Sequence, residues 1–235
     1  MTLLELVNKQ LSRSGLPATS TVMGSSNDRV LQVKSILEEE GDNLAPRHTW
    51  QILTQECLHT TIAAEDQGDI TTIAPGFWFI KNDTIFDRTD RLPVLGPLSG
   101  DDWQNLKSRV NTGPRYQYRI RGNRLLSNPV PAAGHQWVFE FQSKNWILDV
   151  DGVTRKAAFT ADTDTMLLPD TIVLQGLRWR WLSEKGLEYA EVFANYEMLI
   201  KDAMSRDGGK ATVRSDMEYA IQSPGVFVPN GNWPL

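Results

Sequence analysis

Thiol and imidazole chemistry are scarce in this chain, whose 235 residues include one cysteine, Cys57, and three histidines, His48, His59 and His135. A lone thiol excludes an intramolecular disulfide and a thiolate metal cluster. That fits a reducing compartment or a fold that needs no covalent staple. No HExxH pair, GxSxG elbow, Walker phosphate loop or GxGxxG fingerprint is present. The run GPLSG at Gly96–Gly100 lacks the lysine of a phosphate cradle and reads as a turn. No stretch approaches the ~18–20 apolar residues that would cross a bilayer, so no membrane partner is expected. The opening MTLLELVNKQLSRSG carries Glu5 among its apolar residues and has no basic flank before a continuous apolar core. It reads as a first helix, which argues against secretion. Basic excess is missing too: 29 Asp plus Glu against 24 Lys plus Arg leave a net charge of -5. A wholly basic nucleic-acid footprint is excluded, although a local patch is not.

What the chain does have is apolar mass. With 40% hydrophobic residues, eight Trp and eight Phe, it is long enough to bury a core unaided and is not a disordered chain. Its length suits one large domain or two modest ones.

The hydrophobic period changes twice. Leu3 or Leu4, Val7 and Leu11 recur at helical spacing until Gly15 and Pro17. Asn27 or Asp28 can cap a second helix through Val30, Val33, Ile36 and Leu37, ending at Glu38–Glu40 and Gly41. A third short helix is expected over Pro46–Trp50. From Ile52 the pattern turns β-like: QILTQECLHTTIA and Asp69–Ile73 are separated by a turn around Glu65–Gly68. Pro75–Ile80 reads as a short buried helix or a strand. Strand-like pieces follow at Thr84–Asp87 and Leu92–Leu95, then a helix capped by Asp101 or Asp102 and carrying Trp103, Leu106 and Val110. Tyr116, Tyr118 and Ile120 alternate with polar residues before a Gly122-Asn123 turn. Gln136–Gln142 and Trp146–Val150 are expected to pair as a hairpin. Helical spacing returns from Asp170 with Val173, Leu174, Leu177 and Trp181. A further helix with Leu187, Ala190, Phe193, Tyr196, Ile200 and Ala203 along one stripe is expected to bury that face.

This order predicts an α+β fold. N- and C-terminal helices (1–51 plus 168–207) form one helical bundle, 52–167 an inserted β-rich domain, and 208–235 an extended C-terminal arm. The arm's Val226, Phe227, Val228 and Trp233 either pack back on their own core or anchor another subunit.

Candidate chemistry is sparse. Cys57 and His59 share a face if extended, which reads as a packed thiol beside an ordinary histidine. Asp149 and Asp151, or Asp162 and Asp164, are carboxylate pairs suited to a hard cation or to acid–base work, and equally to turns. Arg115, Arg119, Arg121 and Arg124, interleaved with Tyr116 and Tyr118, suit phosphate contact, a subunit interface or the wet face of a strand. On this reading the chain has no catalytic residue, no metal ligand and no cofactor, and is not an enzyme.

Several segments resemble the head-to-tail adaptor, or connector, proteins of tailed bacteriophages, especially the podophage tail-tubular-A-like group. The match lies in LLELVNKQLSRSGLP and in Asp28, Arg29, Val30, Gln32, Glu38–Glu40, His48, Trp50 and Gln51. A second stretch, GPLSGDDWQNLK, contributes Gly96, Pro97, Leu98, Trp103, Gln104 and Leu106. The resemblance implies a structural virion protein at the head–tail junction, assembled in the host cytoplasm. It implies self-association as a twelve-subunit ring beneath a dodecameric portal protein, extending the DNA channel and carrying the tail nozzle, tube or fibres. Transient, non-specific contact with genomic double-stranded DNA follows, and Val226, Phe227, Val228 and Trp233 become the portal-binding arm. Two alternatives stand beside it: a tail-associated polysaccharide hydrolase using Asp149 and Asp151, and a neck or tail-completion protein contacting another ring.

Overall fold

A computed structural model of the chain describes residues 1–109 and 115–208. Helix α1 (Leu3–Arg13) starts in a capping box, with the Thr2 hydroxyl accepting from Glu5 N and the Glu5 carboxylate accepting from Thr2 N. It buries Leu3, Leu6, Val7 and Leu11. Asn27 caps α2 (Asp28–Leu44) by accepting from Arg29 N at 3.0 Å. The sequence expects α2 to stop at Gly41, yet the helix continues for three residues. Gly41 is there for packing: the indole of Trp146 lies where a β-carbon would sit, 2.4 Å from that position. In place of one helix over 46–50 stand two 3-10 turns, Ala45–Arg47 and Gln51–Leu53. Between them Trp50 is buried, its indole N–H donating to Leu44 O at 3.0 Å.

In the β-rich middle, β1 (Thr54–Thr60) lies antiparallel to β8 (Gln136–Ser143), from Thr54 opposite Gln142 to Thr60 opposite Gln136. On the other side of β8 lie β3 (Phe77–Ile80) and β4 (Phe86–Asp87), with β5 (Leu92–Pro93) beyond β4. A second sheet has the order β2–β7–β6, from β2 (Asp66–Asp69), β7 (Arg124–Asn128) and β6 (Gln117–Arg121). Gly122 and Asn123, with φ of 55° and 60°, make the expected turn between β6 and β7.

Two expectations fail here for local reasons. Residues 66–69 form a strand where a turn was expected, and the predicted strand over 69–73 is instead a short helix, α3 (Ile70–Ile73). The Asp69 carboxylate accepts from Thr71 N at 2.8 Å and caps it. Helix α4 (Gly100–Lys107) is capped by Ser99, whose hydroxyl accepts from Asp102 N, rather than by Asp101 or Asp102.

The hairpin expected between 136–142 and 146–150 does not form. After Ser143 the chain turns away, Trp146 is buried at 1% exposure among the helices, and β9 (Ile147–Leu148) pairs with β10 (Arg155–Lys156) and β11 (Thr165–Met166). Burying a large indole outweighs a few extra strand hydrogen bonds.

Helix α5 (Asp170–Glu184) packs against α1, α2 and α6 (Ala190–Arg206), so N- and C-terminal helices meet around a central β-rich region in an α+β fold. One hydrophobic core joins these helices with Trp146, Ile147, Phe159, Met166 and Leu168. A second gathers Cys57, Ile70, Tyr118, Leu125, Trp137, Phe139 and Phe141. Among the described residues, no helix is long and apolar enough to cross a membrane.

The stripe predicted to bury α6 is only partly buried. Tyr196 and Ile200 are inside, while Phe193 is 36% exposed and Leu199 39%; Met198, outside that stripe, is 67% exposed. Among the described residues, α5 covers part of α6, with Trp179 packing on Phe193 and Tyr196 at ring-centroid distances of 5.1 and 6.0 Å.

Candidate functional site

At one edge of the larger sheet, β4 ends in Asp87, the turn toward β5 carries Asp90, and His135 immediately precedes β8. Asp87 is fully buried, and each of its oxygens is held. Oδ1 accepts from Thr89 N at 2.8 Å and Asp90 N at 3.2 Å; Oδ2 meets His135 Nδ1 at 2.8 Å and accepts from the Trp137 indole at 3.2 Å. Asp90 Oδ2 lies 3.6 Å from the same imidazole nitrogen. His135 is fixed through its backbone: its N donates to Thr61 Oγ1 at 3.0 Å and its carbonyl accepts from Thr61 N at 2.9 Å.

One ligand atom from each of Asp87, Asp90 and His135 lies within 4.8 Å of the others, a set able to coordinate a metal ion. The expectation that the chain is not an enzyme is corrected by this cluster, whose ability to hold a metal ion gives the fold a candidate catalytic constellation. It escaped notice because His135 lies 48 positions from Asp87 and belongs to no spaced motif. The only local hint is the pair of aspartates three apart in a turn.

The carboxylate pairs singled out in the sequence hold loops. Asp151 accepts from Val153 N and Thr154 N at 2.8 Å and from Thr154 Oγ1 at 2.5 Å. Those bonds, the Thr154 hydroxyl first, keep its carboxyl below the usual range. Asp149 pairs with Lys156 at 3.2 Å. Asp162 reaches back to the α1–α2 connection, accepting from Thr21 Oγ1 at 2.6 Å, Val22 N at 3.0 Å and Met23 N at 2.8 Å. Fully buried Asp164 accepts from Lys156, Thr160 N and Ala161 N. Burial alone would raise the carboxyls of Asp162 and Asp164, but their hydrogen bonds overcome it and hold both below the ordinary value.

Cys57 and His59 do share a face of β1, without forming a site. The Cys57 thiol donates to Ile73 O at 3.2 Å, and burial pushes it up to about 11. That disfavours a reactive thiolate at neutral pH. His59 is lowered by burial, against the opposing effect of its 3.4 Å contact with Gln67.

The register of β6 with β7 places Arg119, Arg121 and Arg124 on one face, with Arg121 directly opposite Arg124. Arg124 is engaged by Asp66, its Nε reaching the two carboxylate oxygens at 3.0 and 2.8 Å. Arg115 and Arg121 are exposed, and Arg119 donates to Gly100 O at 3.4 Å. Val226, Phe227, Val228 and Trp233 lie outside the described residues, as does Val110.

Gln32, Glu40, His48 and Gln51 tie the two ends of the described chain together. Buried Glu40 accepts from Tyr196 Oη at 2.6 Å and Arg180 Nε at 2.8 Å, joining α2 to α6 and α5. Burial raises the Glu40 carboxyl although Tyr196 and Arg180 act against it. Gln32 contacts Glu184 at 2.5 Å and accepts from Lys185 at 2.8 Å. His48 Nε2 lies 3.3 Å from Asp207, which also accepts from Gln51 N at 2.9 Å. In the second stretch Trp103 is buried, and Gly96 sits against Tyr118 at φ 147°, where a β-carbon would come 2.5 Å from the Tyr118 carbonyl oxygen. A final surface feature is apolar: Leu187, Tyr189, Phe193, Met198 and Leu199 are all exposed in and just before α6.

Compared with known proteins, the chain matches no protein-family model and no curated protein.

Proposed function

We propose that this chain is a head-to-tail adaptor of a tailed bacteriophage, forming a ring of twelve subunits beneath the portal protein that extends the DNA channel and docks the tail nozzle, tube or fibres. In this reading 1–51 and 168–207 form one helical bundle in the ring wall, 52–167 an inserted β-rich domain, and 208–235 a portal-binding arm ending in Val226, Phe227, Val228 and Trp233.

The observation that carries the proposal is the apolar surface in and just before α6, where, among the described residues, Leu187, Met198 and Leu199 are exposed and Tyr189 and Phe193 are only partly covered by Trp179. Large apolar side chains exposed in and just before one helix suit an interaction surface better than a solvated one, and a neighbouring copy in a ring would cover them. Arg115, Arg119 and Arg121 supply cations for a subunit interface or for passing phosphates. A net charge of -5 suits a conduit that must not retain its DNA.

A second reading, a tail-associated carboxylate-dependent polysaccharide hydrolase, is favoured by the cluster of Asp87, Asp90 and His135. It would use these residues in place of Asp149 and Asp151, since the turn at 151–154 already occupies Asp151. Electron microscopy of the full chain co-purified with the portal protein from its own genome separates the two. A coaxial ring below the portal is the expected result. No complex between folded partners, together with polysaccharide hydrolysis that Asp90→Asn abolishes, would replace the adaptor by the hydrolase.

A further inference from the structure

We propose that Asp87, Asp90 and His135 bind a divalent transition-metal ion of the Zn²⁺ class. The site does not depend on the adaptor reading and would be present in the isolated chain.

Geometry comes first. His135 Nδ1 is 2.8 Å from Asp87 Oδ2 and 3.6 Å from Asp90 Oδ2. With metal–ligand bonds of about 2.0–2.2 Å, those two edges subtend angles of about 85° and 120° at a shared ion, within the span that Zn²⁺ accepts. The third edge, Asp87 to Asp90, is within 4.8 Å, so sharing one ion asks for a shift of the exposed Asp90 carboxylate toward the other two ligands. Entry of the ion replaces the proton between Nδ1 and Oδ2, which leaves to solvent.

Preorganisation comes second. Asp87 is fully buried and oriented by two backbone N–H groups and the Trp137 indole, while His135 is clamped on both sides of its peptide by Thr61. Such contacts fix the position of the Asp87 carboxylate and of the backbone that carries His135. Asp90 is exposed, so the remaining coordination positions face water, as in three-ligand sites with an open position. The donor set selects the class of ion. One imidazole and two carboxylates suit Zn²⁺ and its neighbours, whereas Ca²⁺ and Mg²⁺ favour shells built wholly of oxygen. Bound there, the ion would clip the turn between β4 and β5 to the start of β8.

The competing account is a plain imidazole–carboxylate hydrogen bond with no affinity for metal, and titration distinguishes the two. The full chain, freed of metal with a chelator, is titrated with Zn²⁺ by calorimetry and with Co²⁺ by visible absorption, alongside Asp90→Asn and His135→Gln. The expected result is one ion per chain, Co²⁺ bands of a four- or five-coordinate site, and no competition from excess Mg²⁺. Loss of an oriented ligand should weaken binding at least ~10-fold in each variant. Asp90 is exposed, so Asp90→Asn should keep the metal-free melting temperature and serves as the deciding variant if His135→Gln unfolds. Absence of saturable Zn²⁺ binding to the folded chain, or equal binding by Asp90→Asn, would overturn the site.

Discussion

Gly41 and Gly176 sit inside helices, where alanine would ordinarily be favoured by about 1 kcal/mol, yet each stands where another side chain fills the space. A β-carbon at Gly41 would meet the Trp146 ring at 2.4 Å, and one at Gly176 would meet Glu40 Oε1 at 2.2 Å. The neighbours are a packed indole and a buried carboxylate bound to Tyr196 and Arg180, so neither can step aside into solvent. Overpacking then outweighs helix propensity. Gly41→Ala and Gly176→Ala should each lower stability by a net ~1–3 kcal/mol in urea denaturation. An unchanged or raised midpoint would show that these contacts relax easily. Neither glycine could be assigned this role from local spacing, because Trp146 and Glu40 lie far along the chain from the positions they meet.

At the scale of elements, periodicity located most helices and strands but not their partners. The stripe on α6 is real in the sequence, and among the described residues Tyr196 and Ile200 are fully buried on it while Ala203 and Phe193 pack only in part. The remaining apolar residues are what the adaptor reading assigns to a neighbouring copy. Met198→Lys with Leu199→Lys tests this, since Leu, Met and Lys have similar helix propensities and both sites are exposed. Melting temperature of the free chain should stay within a degree or two, while the ring is lost on size-exclusion chromatography and in micrographs. A ring that survives would move the subunit interface elsewhere. The failed hairpin after β8 makes the complementary point: alternation along Gln136–Ser143 marks a strand, but β8 pairs with β1, β3 and β4, and Trp146 leaves for the other core.

For the whole molecule, Asp162 and Glu40 tie distant segments together and Asp164 clamps its own loop, with Glu40 opposite in linkage sign to the two aspartates. Asp162 and Asp164 have folded values below the ordinary 3.8. Their stabilisation is present above that pH and is lost as pH falls through the depressed values. Glu40 is raised above 4.5. The folded chain then holds that proton more tightly than the unfolded chain, so the contribution is full below pH 4.5 and declines as pH rises through the raised value. Urea midpoints of wild type and Glu40→Gln, compared from pH 4 to 7, should diverge in this sense: the wild type loses stability relative to the variant as pH rises. Parallel profiles would mean that Glu40 titrates alike in both states.

What the sequence by itself determined is what near neighbours decide. The Asn27 cap, the Gly122-Asn123 turn and the apolar spacing of α1 and α5 all depend on residues a few positions apart, so they are readable. The tertiary structure decided which distant groups meet. Asp87, Asp90 and His135 converge because β4 and β8 pair, the aspartates at 162 and 164 become loop clamps because their nearest donors lie there, and α6 keeps an apolar face because α5 covers only part of it. Such outcomes follow from long-range packing and burial, in which the chain satisfies its largest apolar groups first and the polar groups take whichever partners that packing brings within reach.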